Sequence, residues 1–206
     1  MKNWSSSFIK FLFLFLLFRI LSIDVFAQKQ KIEILNAKRL NSAQRNNQNA
    51  RKLTGDVKLR QGELTMSCDS AYFYVDINAV DAFGNVHIER ADSLDIFSDS
   101  LKYNGEDRQV RLFSNVLLRE KRLNLDTDLL YYDLKNEIAK YFNGGHVFND
   151  EIDLRSKRGY YYTQSKKAFF KDSVELKTEE YTIYSDTLEY QYGVEKLVFH
   201  GPSRII

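Results

Sequence analysis

A chain of 206 residues has room for one or two domains, and its 44% hydrophobic and 14% aromatic content excludes a wholly disordered chain. Thirty Lys and Arg against 28 Asp and Glu, interspersed along the sequence, exclude the basic patches that nucleic acid or an anionic membrane surface selects. A single Pro favours uninterrupted strands, and a single Cys excludes a disulfide framework.

The first 27 residues read separately. Lys2 and Lys10 flank a polar start, the run Phe11–Phe18 is wholly apolar, and Val25 and Ala27 occupy the two positions a signal peptidase inspects. This predicts a secretory signal cleaved after Ala27. A retained membrane anchor is the rival reading. Against it, Arg19 interrupts an apolar stretch already shorter than the roughly 20 residues that cross a bilayer. No Cys follows the apolar run, so there is no lipoprotein acylation site. The leader's charges are Lys2, Lys10, Arg19 and Asp24; removing three of 30 basic and one of 28 acidic side chains leaves residues 28–206 formally neutral.

Residues 28–206 read as one repeat domain. Residues 31–54 form a partial copy, with Ile32 and Ile34 in one apolar stretch, Leu53 in another, and Asn41–Asn49 as a long polar turn between them. Complete copies then begin at 55, 84, 114, 145 and 172. Their marker valines, Val57, Val86, Val116, Val147 and Val174, are 29, 30, 31 and 27 residues apart. Gly55, Gly84, Ser114, Gly145 and Asp172 stand two places before them, and Gly201-Pro202-Ser203 opens another copy.

After each opening stretch comes a second with a shared register: Leu64, Met66, Cys68, then Asp69; Leu94, Ile96, Ser98, then Asp99; Leu123, Leu125, Thr127, then Asp128; Ile152, Leu154, Ser156, then Lys157; Tyr181, Ile183, Ser185, then Asp186. The apolar set then resumes on the other parity, at Ala71/Phe73, Leu101/Tyr103, Leu130/Tyr132, Gly159/Tyr161 and Leu188/Tyr190. Period-2 alternation changes face only where an extra residue enters, which predicts a bend or bulge near the Asp. A third stretch follows, as at Val80/Ala82 and Val110/Leu112. The reading is all-β, about five repeats of three short strands and roughly 29 residues, stacked because one copy cannot bury its apolar face alone.

Chemistry is sparse. His87, His146 and His200 lack ligand-spaced partners, and no H-E-x-x-H, C-x-x-C, G-x-S-x-G or phosphate-cradling glycine loop occurs, so no metal, cofactor or catalytic residue is expected. Asp69, Asp99, Asp128 and Asp186 align in a stack, but solvated Asp at a bend accounts for them better than a Ca²⁺ ladder, which needs several convergent oxygens per ion. Cys68 reads as a packed core residue. The tyrosines read as strand packing, with Tyr160 and Tyr162 facing outward.

The recurring order of Leu53-x-Gly55-Asp56-Val57-x-Leu59, Phe83-Gly84-Asn85-Val86-x-Ile88 and the Leu94–Asp99 segment resembles the LptA/OstA family of periplasmic lipopolysaccharide-transport proteins, including the related amino-terminal domain of the outer-membrane translocon. Asn36-Ala37-Lys38, Lys157 and Ser114 depart from its pattern. The resemblance implies a twisted, open β-jelly roll of stacked antiparallel strands, a location in the periplasm, free or associated with the envelope, and a non-enzymatic bridge role in outer-membrane biogenesis. Its partners would be lipopolysaccharide or a similar acylated lipid and other jelly rolls, or further copies of itself. On that reading Val57, Leu59, Leu64, Met66, Val86, Ile88, Leu94, Ile96, Val116, Leu118, Leu123, Leu125, Ile152, Leu154 and Ile183 line a groove for acyl chains. Ile32, Ile34, Ile205 and Ile206 mark edges for strand pairing. The alternative is an exported structural or adhesive β-solenoid with no lipid ligand. Intact-mass measurement of the protein from the cell envelope tests the leader: the mature chain should begin at Gln28, and a full 206-residue mass in the membrane fraction would replace cleavage by anchoring.

Overall fold

The structure is a computed structural model that describes residues 30–90, 94–120 and 123–206; the leader and its cleavage point lie outside the described residues. Among the described residues there are strands and no helix: β1 (Glu33–Asn36), β2 (Arg39–Arg45), β3 (Gln48–Gln61), β4 (Leu64–Tyr74), β5 (Ala79–Arg90), β6 (Leu94–Asn104), β7 (Gln109–Glu120), β8 (Leu123–Asp133), β9 (Ile138–Tyr141), β10 (Gly145–Phe148), β11 (Asp153–Ser156), β12 (Arg158–Tyr162), β13 (Lys167–Lys177), β14 (Thr182–Gln191) and β15 (Lys196–Ile205). All belong to one antiparallel sheet in which successive long strands pair as hairpins, from β1 and β2 on β3 at one end to β15 on β14 at the other.

The bend of these strands has one cause. Thr54 pairs Ser70 and Val57 pairs Cys68, so Gly55 and Asp56 together oppose Asp69 alone. The same two-against-one count sets Gly84-Asn85 against Asp99, Ser114-Asn115 against Asp128 and Asp172-Ser173 against Asp186. Both residues of each pair have positive φ, between +46° at Asn85 and +77° at Gly55. That region costs most side chains about 1–2 kcal/mol, which is why Gly, Asn, Asp and Ser fill it. The extra residue therefore sits in the strand facing the Asp. The bulged strand keeps its inward parity from Leu53 to Val57, and its partner shifts from Cys68 to Ala71.

The bulge also explains the small residue ahead of Asp69, Asp99, Lys157 and Asp186. Cys68 Sγ lies 3.3 Å from Ser70 O, Ser98 Oγ 3.2 Å from Ser100 O, and Ser156 and Ser185 Oγ each 3.1 Å from the carbonyl two residues on. A short inward donor thus satisfies a carbonyl at the place where the ladder is interrupted. Burial pushes the Cys68 thiol up to about 11, as expected of a packed, unreactive cysteine.

Two expectations change. The third stretch of one copy and the first of the next run on as a single strand, so that Val80, Ala82, Val86 and Ile88 all lie on β5. Each copy thus contributes two long bent strands, except where the third copy passes into the fourth, whose strands are cut into β9, β10, β11 and β12. There the residue with positive φ is Gly144, at +99°, and not Gly145. In the partial copy Asn41–Asn49 is not a long turn: residues 41–45 and 48–49 are paired in β2 and β3, and only Asn46-Asn47, both at positive φ, turn the chain. A polar edge strand has no buried face to write alternation into its sequence, and the two adjacent Asn supply a tight hairpin turn.

Gly84 tests the bulge. A Cβ built there would stand 2.4 Å from Asp69 Oδ2, on a residue at φ +74°. Gly84→Ala should lower the stability measured by urea unfolding by about 1–2 kcal/mol, whereas Ser114→Gly, at φ +60°, should cost nothing.

Candidate functional site

The bends fold the sheet over on itself and turn two sets of inward residues toward one another. In the half before each Asp, direct cross-strand pairing links Ile34, Leu59, Met66, Ile88, Ile96 and Leu118, and continues through Leu125, Val147, Leu154, Leu176, Ile183 and Ile205. This is an unbroken aliphatic ladder from one edge of the sheet to the other. Beside it lie Val57, Leu64, Val86, Leu94 and Val116, also buried, with Leu123 and Ile152 partly buried against them. Every residue expected to line a groove therefore faces one shared interior.

The other half was absent from that expectation. Its inward ladder alternates large and small, with Phe73, Tyr103, Tyr132, Tyr161 and Tyr190 on one set of strands and Val80, Val110, Ala139, Ala168 and Leu197 on their partners. Rings then fit between small neighbours, which closes the space without strain. These tyrosines stand in the part of each strand that leads to the open side of the fold, where their hydroxyls find partners. Burial raises the Tyr103 phenol to about 12 and pushes Tyr132 and Tyr161 higher still.

The interior of this structure is filled with side chains. Ile88, Ile96 and Leu154 are 0% exposed, and a void lined by Leu118, Leu125, Ala139, Tyr141 and Val147 measures about 10 Å³, the size of one water. The spread groove implied by the resemblance is closed here. Along the open side, hairpin tips from the two halves are joined by polar bridges. Gln61, 2% exposed, donates to Gly105 O at 2.8 Å and to Gln30 O at 2.6 Å, and accepts from the Tyr103 hydroxyl. Arg90 Nη1 meets Glu137 Oε1 at 2.9 Å, and Thr163 Oγ1 donates to Glu120 Oε2 at 3.4 Å. No sequence signal points to these bridges, because their partners are 42 to 47 residues apart and come from different copies.

The edge residues separate into two kinds. Ile34 sits in β1, and Ile205 and Ile206 are 66% and 64% exposed at β15, each on a strand with one partner among the described residues. Ile32 instead is 5% exposed and packed in the core, its N–H held by Asn78 Oδ1 at 2.9 Å.

The histidines and aspartates have local roles. His87 pairs Asp95 at 2.7 Å and stacks on Phe97, His146 lies 3.0 Å from Asp153 and stacks on Phe148, and His200 reaches Glu189 at 3.3 Å. Asp69 accepts from Asn85 at 2.9 Å and Asp99 from Asn115 at 2.8 Å, each holding the bulge of the next strand. No group of three metal-ligating side chains occurs among the described residues.

The profile of the OstA-like protein family matches residues 29–186. The chain belongs to the OstA-like family. No curated protein matches this OstA-like chain. Among solved structures it is similar to LptH, the LptA-homologous periplasmic component of the lipopolysaccharide transport device of Pseudomonas aeruginosa, at 9% identity and a TM-score of 0.49, over 55% of this chain and 93% of that one.

Gln61 is the bridge to test. Gln61→Ala leaves Gly105 O, Gln30 O and the Tyr103 hydroxyl without their partner, and should cost on the order of 1–3 kcal/mol in urea unfolding. Glu33→Ala, which removes an exposed pair with Arg60, should cost about 0–1 kcal/mol.

Proposed function

We propose that this OstA-like chain is a periplasmic bridge protein that carries lipopolysaccharide, or a similar acylated lipid, toward the outer membrane by holding its acyl chains between the two halves of the folded sheet. The observation that carries this reading is the unbroken aliphatic ladder from Ile34 to Ile205, which gives a hydrocarbon chain an apolar path from one sheet edge to the other. Each methylene taken out of water is worth about 0.8 kcal/mol, so several acyl chains are held without a specific polar pocket. The family membership supports the same reading. The end strands β1 and β15 expose ladder groups on which a further jelly roll or a second copy pairs, and Pro202, which has no N–H to donate, limits that pairing on β15. Carriage of this kind needs no catalytic residue, and the reading is of a binding protein and not an enzyme.

The filled interior favours a second reading, a closed structural solenoid without ligand. The two differ at adjacent residues. Ile96 is fully buried in the aliphatic ladder, whereas Asp95 points outward to His87. A photoreactive residue at position 96 should crosslink to lipid in cells and the same residue at 95 should not, with circular dichroism confirming that both variants fold. Labelling at neither position, or at both equally, would overturn the carrier in favour of the solenoid.

A further inference from the structure

The open side of the fold is not uniform along its length. Three bridges close it through the first copies, at Gln61 with Gly105, Arg90 with Glu137 and Glu120 with Thr163. The third bridge forms one wall of a cleft of about 330 Å³, between the tip that carries Asn149 and Glu151 and the turns that carry Thr163, Lys166 and Gly193. Tyr161 and Tyr192 stack along its wall, 5.0 Å apart and 11° from parallel. Leu123 and Tyr161 line this cleft and also line the small apolar void in the core, so the two spaces meet at those side chains.

The core beneath the cleft is built unlike the other copies. At the position where Ala71, Leu101, Leu130 and Leu188 stand inward, the fourth copy has Gly159. The Tyr141 ring occupies the vacated space: a Cβ on Gly159 would fall 2.1 Å from it, and a Cβ on Gly145 2.5 Å from it. The ring is held at its far end by a 2.6 Å hydrogen bond between its hydroxyl and Ser156 Oγ. Elsewhere the corresponding inward position is filled by an aliphatic side chain of its own strand, Ala71, Leu101, Leu130 or Leu188. Here one aromatic ring covers two glycines, and swinging it aside bares a floor of backbone without side chains. The strands around it are the short ones, interrupted at Asn143-Gly144 and at Lys157.

We propose that this cleft is the portal through which an aliphatic chain reaches the interior, passing Leu123 and Tyr161 and displacing the Tyr141 ring, while the polar end of the lipid stays at the rim near Glu151 and Lys166. The inference rests on the carrier reading and adds to it a place and a plug. A chain of linked methylenes fits because the path narrows from an open cleft to a void whose wall is apolar and one water wide.

Tryptophan reporters test the portal separately from the carrier. The one native tryptophan, Trp4, lies outside the described residues, and the unsubstituted protein supplies its background signal. Tyr161→Trp places a reporter at the portal and Tyr103→Trp places one behind the first bridge. A brominated stearate below its micelle-forming concentration should quench the reporter at 161 several-fold more than the one at 103. Equal quenching at both, or quenching at 103 alone, would leave the carrier standing and overturn the portal, and quenching at neither would overturn both. Tyr141→Ala should lower the half-saturating stearate concentration several-fold, and an unchanged value would remove the plug. If either tryptophan variant does not fold, the unsubstituted protein labelled with a photoreactive stearate should carry the label on peptides containing Leu123, Tyr161 or Tyr192; label confined to the peptides of β3–β6 would overturn the portal.

Discussion

Two neighbouring residues with positive φ, set against one residue on the next strand, recur at every complete bulge of this protein, and the rest of the architecture depends on them. Without the bend a ladder of fifteen strands would be an open sheet with one apolar face exposed to water, a state the hydrophobic effect does not sustain. With it, each long strand contributes one segment to each wall, and the sheet closes on its own inward face. The bulge imposes further chemistry. An inward hydroxyl or thiol serves the interrupted carbonyl, and a residue just ahead of the bulged strand in the chain order of the ladder holds the bulge in register.

That last role explains the departures from the family pattern at Lys38 and Lys157. Where the residue that holds the bulge is Asp, as at Asp69 and Asp99, the following bulge carries Asn85 and Asn115, whose amides donate to the carboxylates. Where it is Lys, the bulge carries Asp instead. Lys38 reaches Asp56 at 2.5 Å, and beside Lys157 the Arg158 guanidinium grips Asp172 and holds its carboxyl below the usual range. The chemistry is exchanged across the ladder and the bend is kept. Lys38 and Lys157 are thus compensated substitutions, at exposed pairs that fix geometry more than they stabilise.

The two walls of the interior are not equivalent. One is aliphatic throughout; the other sets tyrosines between small residues and sends their hydroxyls toward the open side. A purely aliphatic pair of walls would have to meet water directly at that side. Tyrosine ends the apolar region with a polar group that bonds across it, so the molecule closes laterally at little cost in unsatisfied polar atoms. The bridges are few and, apart from Gln61, only part-buried, so each is worth far less than the buried ladder it encloses. A seam held this way separates more readily than the core behind it.

The sequence by itself determined the inward residues of the strand segments and the period of the repeat, because burial on one face writes itself into alternation and the bulge writes itself into a parity switch beside Gly, Asn or Asp; that the third stretch of one copy and the first of the next form one continuous strand was decided by the structure. It also determined Cys68 as a core residue and fifteen apolar positions of the first two stretches as one inward set. The tertiary structure alone decided which strand holds the extra residue, since a parity switch reads the same whichever partner bulges. It decided that β2 pairs, since a polar edge strand has no apolar face to announce it. Only folding the sheet brought Gln61 to Gly105, Arg90 to Glu137 and Tyr141 over Gly145 and Gly159. Such meetings join residues of different strands through the bend of the whole sheet, and no local pattern of side chains encodes that distance.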